Sequence, residues 1–415
     1  MAPPRRACWL VLLQLSRFFF PAAASRRPCI RPPSRRQARR RCCSRSRARG
    51  AIRRRWRDGT PHRPRERTTA TGRTWGVTRR GASRASPSAP PASRGRSRTP
   101  SATSRRSPTS TYPTTASSAG SRPRYRCASI EHIDLSHNNF TGHLPSDMGR
   151  RLGENLTDLF LHNNRFSGAI PPSLGSLTRL QTLDLSDNPF DAGELPASFK
   201  NLANLTFLDV GNCNLIGEFP SSVLEMPELE VLALYNNALT GSIPPRVWSL
   251  SKLLMLDLSL NNFTGDVVVD GHGMAARSLT FIAISYNYKL TGSIPEAFGL
   301  LENLTILILS SNSFSGEIPA SIASLPSLSM LDLSYNRFTG TLPAELGKHS
   351  DLEYVLVGDN ALTGAIPEGL CARGHFISLT ADNNRFNRSI PSNLANCGTL
   401  RKLSLRNNQL TGTIA

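Results

Sequence analysis

The stretch IDLSHNNFTGHLP, Ile133 to Pro145, sets the pattern to which most of the remaining chain returns. Two aliphatic residues stand one apart; an asparagine follows, then an aromatic residue two positions on, a glycine two beyond that, and a proline. The frame L-x-L-x-x-N-x-L/F-x-G-x-I-P recurs from LFLHNNRFSGAIP (Leu159 to Pro171) to LSLRNNQLTGTIA (Leu403 to Ala415), in twelve copies spaced 24 to 26 residues apart. A unit of one short strand and a return loop cannot bury its own apolar face. It gains stability by stacking on its neighbours.

The expected fold is therefore a leucine-rich-repeat solenoid, an α/β-type right-handed superhelix with a parallel β-sheet on its concave face. Its ladder asparagines are Asn138, Asn164, Asn188, Asn237, Asn261, Asn287, Asn312, Asn336, Asn360, Asn384 and Asn408, with Cys213 in the fourth repeat. A buried carboxamide at this position can satisfy backbone groups of the loop that leaves the strand. Cys213 reads as a small buried substitute. The apolar spine two residues on (Phe140, Phe166, Phe190 through Leu410) fills the interior, and the glycine beyond it permits a tight turn.

The net charge of +21 conceals two opposite halves. Residues 1–127 hold 33 arginines, no lysine and two acids, Asp58 and Glu66; the rest has 17 basic and 27 acidic residues. Residues 1–25 have a basic start, an apolar stretch interrupted by Arg17 and a small-residue run, in the manner of a signal peptide. Residues 26–127, an Arg/Ser/Pro-rich segment with few aliphatics, are expected to be disordered. That segment also lacks any asparagine. Joint absence of lysine and asparagine, which share A-rich codons, points to a mispredicted or shifted reading frame, with the repeats of residues 128–415 as the reliable portion. The alternative is a phosphate-contacting arm, built on clusters such as Arg39-Arg40-Arg41.

The GxIP turn makes the repeats resemble the plant-type extracellular leucine-rich repeats of receptor-like kinases. The phrases FPSSVLEMPELEVLALYNNALTGSIP (Phe219 to Pro244) and GLCARGHFISLTADNNRFNRSIPSNLANCGTL (Gly369 to Leu400) resemble the peptide-hormone receptors of the HAESA type. The resemblance implies a secreted ectodomain, a transmembrane helix and a serine/threonine kinase. No glycine-rich loop, H-R-D or D-F-G occurs, so no enzymatic activity is assigned to this chain. The twelfth repeat stops at Ile414-Ala415 where a proline is expected, which reads as truncation before the membrane and kinase regions. Repeat six departs from the frame at Val267-Val268, repeat eleven at Arg388, and one-residue insertions mark Asp191-Ala192 and Tyr288-Lys289.

Strand side chains alternate, so residues flanking the ladder leucines face the concave surface. One outward column holds seven large apolar residues in succession: Phe207, Val231, Met255, Phe281, Ile306, Met330 and Tyr354. On strands about 4.8 Å apart they would form an exposed stripe roughly 30 Å long, enough for an extended peptide of about ten residues. Tyr235, Asp257, Tyr286, Ile308, Tyr335 and Leu356 adjoin it. Mutual packing of neighbouring side chains is the alternative account. Lys402 and Arg406 turn two cations outward in the last repeat, without matching the Arg-x-Arg pair that HAESA-type receptors are expected to use for a peptide carboxylate.

Glycosylation sequons stand at Asn139, Asn155, Asn204, Asn262, Asn303 and Asn387. Cys371 and Cys397 lie on successive return loops, where a disulfide and two free thiols remain equally open. His132, His137 and His162 point outward on the first two strands; as three scattered histidines they read as ordinary surface residues rather than a metal or pH-sensing cluster. No metal site and no cofactor are expected.

The combined reading is the peptide-sensing ectodomain portion of a receptor-like kinase. The resemblance implies a secreted peptide ligand, a leucine-rich-repeat co-receptor kinase as partner, and a plasma-membrane location through a transmembrane segment outside this chain. The alternatives are a secreted leucine-rich-repeat inhibitor or receptor-like protein in defence, and nucleic-acid binding through the basic arm.

Overall fold

The computed structural model describes residues 129–269 and 273–413; the expectations placed on residues 1–25 and 26–127, and on the middle of the loop after Val268, lie outside the described residues. Twelve three-residue strands, one per repeat from His132–Asp134 to Lys402–Ser404, form a single parallel sheet in sequential order. Pairing is in register from repeat to repeat, with Met255 opposite Phe281, Phe281 opposite Ile306, and Ile306 opposite Met330. This is the solenoid that the period implies.

Alternation explains why three residues suffice. The middle residue of each strand points inward, and Leu183, Leu208, Leu232, Leu256, Ile282, Leu307 and Leu331 are fully buried. The opposite wall consists of short helical turns that begin directly after the proline of the Ile-Pro step, as at Pro171, Pro196, Pro220, Pro244 and Pro295. Proline's fixed φ starts such a turn without asking for the N–H it lacks. Leu174, Phe199, Val223, Trp248 and Phe298 bury these turns against the sheet's inner side. Where the enlarged loop of repeat six displaces one turn, the Trp248 and Phe298 rings meet edge to face at 5.1 Å across the gap.

The third side is held by the asparagine ladder. Asn261, buried, donates from Nδ2 to Leu258 O and Ser259 O in its own repeat and to Leu234 O in the repeat before; its Oδ1 accepts the Leu239 N–H. The same four-way arrangement recurs at Asn164, Asn188, Asn237, Asn336 and Asn384. One side chain thus closes its own turn and fixes the register of its neighbour.

Cys213 shows which half of this function can be omitted. Its Sγ lies 3.2 Å from Leu185 O and 3.5 Å from Gly211 O, the carbonyls an asparagine would serve, but sulfur is a weak acceptor. The amide that should need an acceptor, Phe190 N–H, turns instead to Asn188 O at 2.9 Å, within the repeat lengthened at Asp191-Ala192. The other lengthened repeat does the same: Leu290 N–H bonds Asn287 O, and Asn312 Oδ1 accepts the Asn287 N–H. The insertion withdraws the usual donor, so a thiol, a weak acceptor that meets only the Asn188 N–H, suffices. Burial pushes that thiol's pKa well above its ordinary value, which leaves it unreactive.

Glycine is required where the spine turns. Gly265 has φ +77° with open space where a Cβ would stand, whereas Gly347, in the return turn after Pro343, has φ +85° and would place a Cβ 2.7 Å from the Leu370 Cα. Arg388, in the glycine column of repeat eleven, stays out of the left-handed region.

Two outcomes follow for equilibrium denaturation. Cys213→Asn should raise stability by about 1 kcal/mol, because a carboxamide oxygen is a stronger acceptor than sulfur for the Asn188 N–H, while Asn237→Cys should cost about 2 kcal/mol by leaving the amides of Cys213 and Leu215 with a poor acceptor. Equal effects from the two would remove the acceptor argument. Gly265→Ala should cost about 1 kcal/mol, and Gly347→Ala several times more, because backbone must also move.

Candidate ligand-binding face

The outward column of the sheet runs from Phe207 to Tyr354 along adjacent strands. Met255, Phe281, Ala283, Ile306, Ile308 and Met330 form an apolar cluster of their own, separate from the repeat core, with Val231, Tyr354 and Leu356 packed against it. The central members are only 1–5% exposed, so the middle of the stripe is not the open strip expected from alternation alone. Side chains on strands this close cover one another's flanks. Phe207, Val231, Tyr354 and Leu356 remain half-buried at the ends.

Two expected contact residues serve the structure instead. Asp257 is fully buried, with Oδ1 accepting the Ser259 N–H at 3.0 Å; an Asp two residues before a Ser makes the same local turn at Asp134, Asp184 and Asp332. In exposed Asp134 the Ser136 hydroxyl and amide hold the carboxyl below its usual pKa. In Asp332 burial outweighs the matching bonds from Ser334 and pushes it up. Tyr235 is buried as well, its ring occupying the space left by Gly211, where an added Cβ would fall 2.1 Å from the ring.

The position just before each ladder residue supplies a signal that hydrophobicity does not. In all twelve repeats it has φ between +51° and +58°. Asparagine and aspartate tolerate this conformation, and other side chains pay for it. Here Asn212 donates to Asp187, Asn236 to Asn212, Asn383 to Asp359 and Asn407 to Asn383, so the column forms a second, surface amide ladder. In repeats six to nine the ladder gives way to Leu260, Tyr286, Ser311 and Tyr335. Tyr286 is 39% and Tyr335 61% exposed, and Leu260 is exposed too. These four repeats are the ones that carry the buried apolar cluster. Leu260, which shares this column with Tyr286 and Tyr335, was not among the sequence-derived candidates.

The flanks differ in chemistry. Lys402 and Arg406 are exposed in the last repeat and are not brought to the apolar cluster. At the other end His162, half-buried, has Nδ1 3.0 Å from Asp184 Oδ2 in a bent approach. Burial disfavours charge on that ring, but Asp184, with Asp134 and Asp187 further off, outweighs it and holds the pKa above the ordinary histidine value. Among the described residues no group of three or more His, Cys, Asp or Glu is placed to hold a metal.

Of the sequon asparagines, Asn139, Asn204, Asn262, Asn303 and Asn387 are exposed and Asn155 is half-buried. Cys371 and Cys397 are bonded to each other with their Cα atoms 5.7 Å apart, joining the loops that precede the last two strands. No helix among the described residues is long and apolar enough to cross a membrane.

Family models described as leucine-rich repeat match residues 277–338, 154–196, 129–150 and 204–226. The fold is similar to the Arabidopsis receptor kinase HAESA, solved in complex with the peptide hormone IDA and the co-receptor SERK1: 37% identity over 67% of this chain and 46% of that chain, TM-score 0.64. It is similar also to a TDR receptor (33% identity, 68% of this chain and 48% of that one, TM-score 0.64) and to the plant peptide hormone receptor RGFR1 in complex with RGF2 (29%, 68% and 48%, TM-score 0.60). The chain thus spans about half the length of these structures. No curated protein sequence matches it.

The left-handed column yields a stability test. Tyr335→Asn should stabilise the protein by about 1 kcal/mol, since asparagine relieves the φ penalty. A loss of stability in chemical denaturation would show that the tyrosine is held there by packing instead.

Proposed function

The chain belongs to the leucine-rich-repeat proteins of the plant receptor-kinase ectodomain kind, and from that premise we propose that it is the extracellular ligand-binding region of a cell-surface receptor, reading a secreted peptide along its concave face. The observation that carries the proposal is the coincidence in repeats six to nine. There an apolar cluster floors the concave sheet, and beside it the surface amide ladder yields to Leu260, Tyr286 and Tyr335 at backbone angles unfavourable to them. Residues kept at a conformational cost mark function more often than architecture.

Recognition on such a face is additive. An extended peptide would lie across the strands, with its side chains against Phe207, Val231, Tyr354 and Leu356 and under the Tyr286 and Tyr335 rings. Because the sheet is preformed, little ordering cost falls on the receptor. Tyrosine supplies broad contact area with few rotors to freeze. Nothing in this interaction makes or breaks a covalent bond.

The likeness to HAESA, whose structure contains a peptide hormone and a co-receptor, supports two finer parts of the proposal. The partner that completes signalling is a leucine-rich-repeat co-receptor kinase, and the working location is the outer face of the plasma membrane. The exposed sequons, which would be open to glycosylation, and the bonded Cys371 and Cys397 accord with an oxidising extracellular setting.

A randomised dodecapeptide library displayed against the full chain tests the assignment. Enriched peptides should bind with affinity lowered at least tenfold by Tyr335→Asn and by Leu356→Ala, and unchanged by Lys200→Ala on the convex side. Absence of such binders, or equal binding to all three variants, overturns the concave site.

A further inference from the structure

Tyr286 and Tyr335 occupy the left-handed column two repeats apart, and both are exposed, while Ser311 between them is small and buried. The column keeps the spacing of the sheet, because its amides bond the next repeat throughout: Tyr286 N–H to Ser310 O at 3.0 Å, Ser311 N–H to Ser334 O at 2.9 Å and Tyr335 N–H to Gly358 O at 2.9 Å. At about 4.8 Å per strand, the two tyrosines stand about 9.6 Å apart along the stack, with a gap at Ser311. The lengthened turn of repeat seven adds Tyr288, whose ring meets that of Tyr286 edge to face at 6.2 Å and braces it.

That interval selects a backbone for the ligand. A peptide lying along the stack sets a side chain on each tyrosine only if its same-face period matches the interval. A β-strand repeats its face every two residues, about 6.7 Å, and falls out of step. A polyproline II helix repeats every three residues, about 9.3 Å, and stays in step over both rings. Hydrogen bonding agrees. The amides that a ligand strand would need are taken up by the next repeat, whereas polyproline II asks for no such row. Charge agrees as well. Leu260, Tyr286, Ser311 and Tyr335 are uncharged, and the neighbouring carboxylates of Asp257 and Asp332 are turned to the amides of Ser259 and Ser334, so an uncharged segment complements this part of the face.

Resting on the peptide-binding reading above, we propose that Tyr286 and Tyr335 select an uncharged segment of the ligand in the polyproline II conformation, with prolines three residues apart, one packed on each ring. The proline ring is apolar and presets this backbone, which lowers the ordering cost that falls on the peptide. The spacing of the tyrosines, rather than their number, carries the selection.

Two synthetic dodecapeptides of identical composition, alanine with four prolines, separate spacing from content: one carries proline at every third position, the other at every second position from its start. Titrated calorimetrically into the full chain, the first should bind about fivefold more tightly or better. Tyr286→Asn and Tyr335→Asn place in the column the residue type that its φ favours, so the fold should persist, and each should bring the two peptides to equal affinity. The exchange Ser311→Tyr with Tyr335→Ser keeps both rings but halves their interval, and should abolish the preference. Equal affinity of the wild type for the two peptides, binding of neither, or a preference that survives the exchange overturns the proposal. The dodecapeptide library separates this failure from that of the reading beneath it. Binders that depend on Leu356 but show no three-residue period leave the concave site standing and sink the polyproline II assignment, whereas a library without binders sinks both.

Discussion

The fold depends on one buried carboxamide repeated along the chain. Each ladder asparagine donates to carbonyls in its own turn and in the repeat before, and its oxygen accepts an amide of that preceding repeat. A strand of three residues has too few main-chain bonds to set its own register; the side chain sets it. With the register fixed identically from repeat to repeat, residues about 24 apart in sequence become neighbours in a column. The concave face is built from those columns. Cys213 marks the boundary of the rule, because a weak acceptor suffices where a local insertion has already withdrawn the usual donor.

The columns are not equally free to vary. The inward leucines are bound by packing, the ladder position by hydrogen bonding, and the position before it by a left-handed backbone. Only the first and third strand positions are chosen by what surrounds them on the sheet. Repeats six to nine break even the backbone constraint, with Leu260, Tyr286 and Tyr335 in place of asparagine or aspartate. Stability in a stacked array is a sum of local and nearest-neighbour contributions, so such strain is borne where it arises and does not propagate. Unstrained amide pairs lie on both sides, at Asn212–Asn236 and at Asp359–Asn383.

What was legible in the sequence follows from the same distinction. The strand positions, the ladder, the glycine turns and the inward core could be read because each depends on residues within one repeat. The state of the stripe could not, because the exposure of Met255 or Phe281 depends on side chains about 25 residues away, and those close it over. Asp257 and Tyr235 looked like contact residues for the same reason. Their actual roles require knowing that the Ser259 N–H donates to the carboxylate of the one and that Gly211 leaves room for the ring of the other. Leu260 stands in the same column as the expected contact residues Tyr286 and Tyr335, and its positive φ is what places it with them.

The two ends of the concave sheet differ in a way that the fold permits but does not require. Acidic and histidine side chains occupy the outward positions of the first repeats, large apolar ones the middle, and Lys402 and Arg406 the last. Since the backbone of every repeat is the same, this gradient is carried entirely by side chains at positions the architecture leaves open. A ligand lying along the sheet would therefore meet a sequence of chemically different surfaces in a fixed order, and its orientation would be set before any single contact was optimised. In such a solenoid, specificity is a matter of order along the stack: moving one repeat would displace a chemical step by one strand spacing, about 4.8 Å, while leaving the core that supports it unchanged.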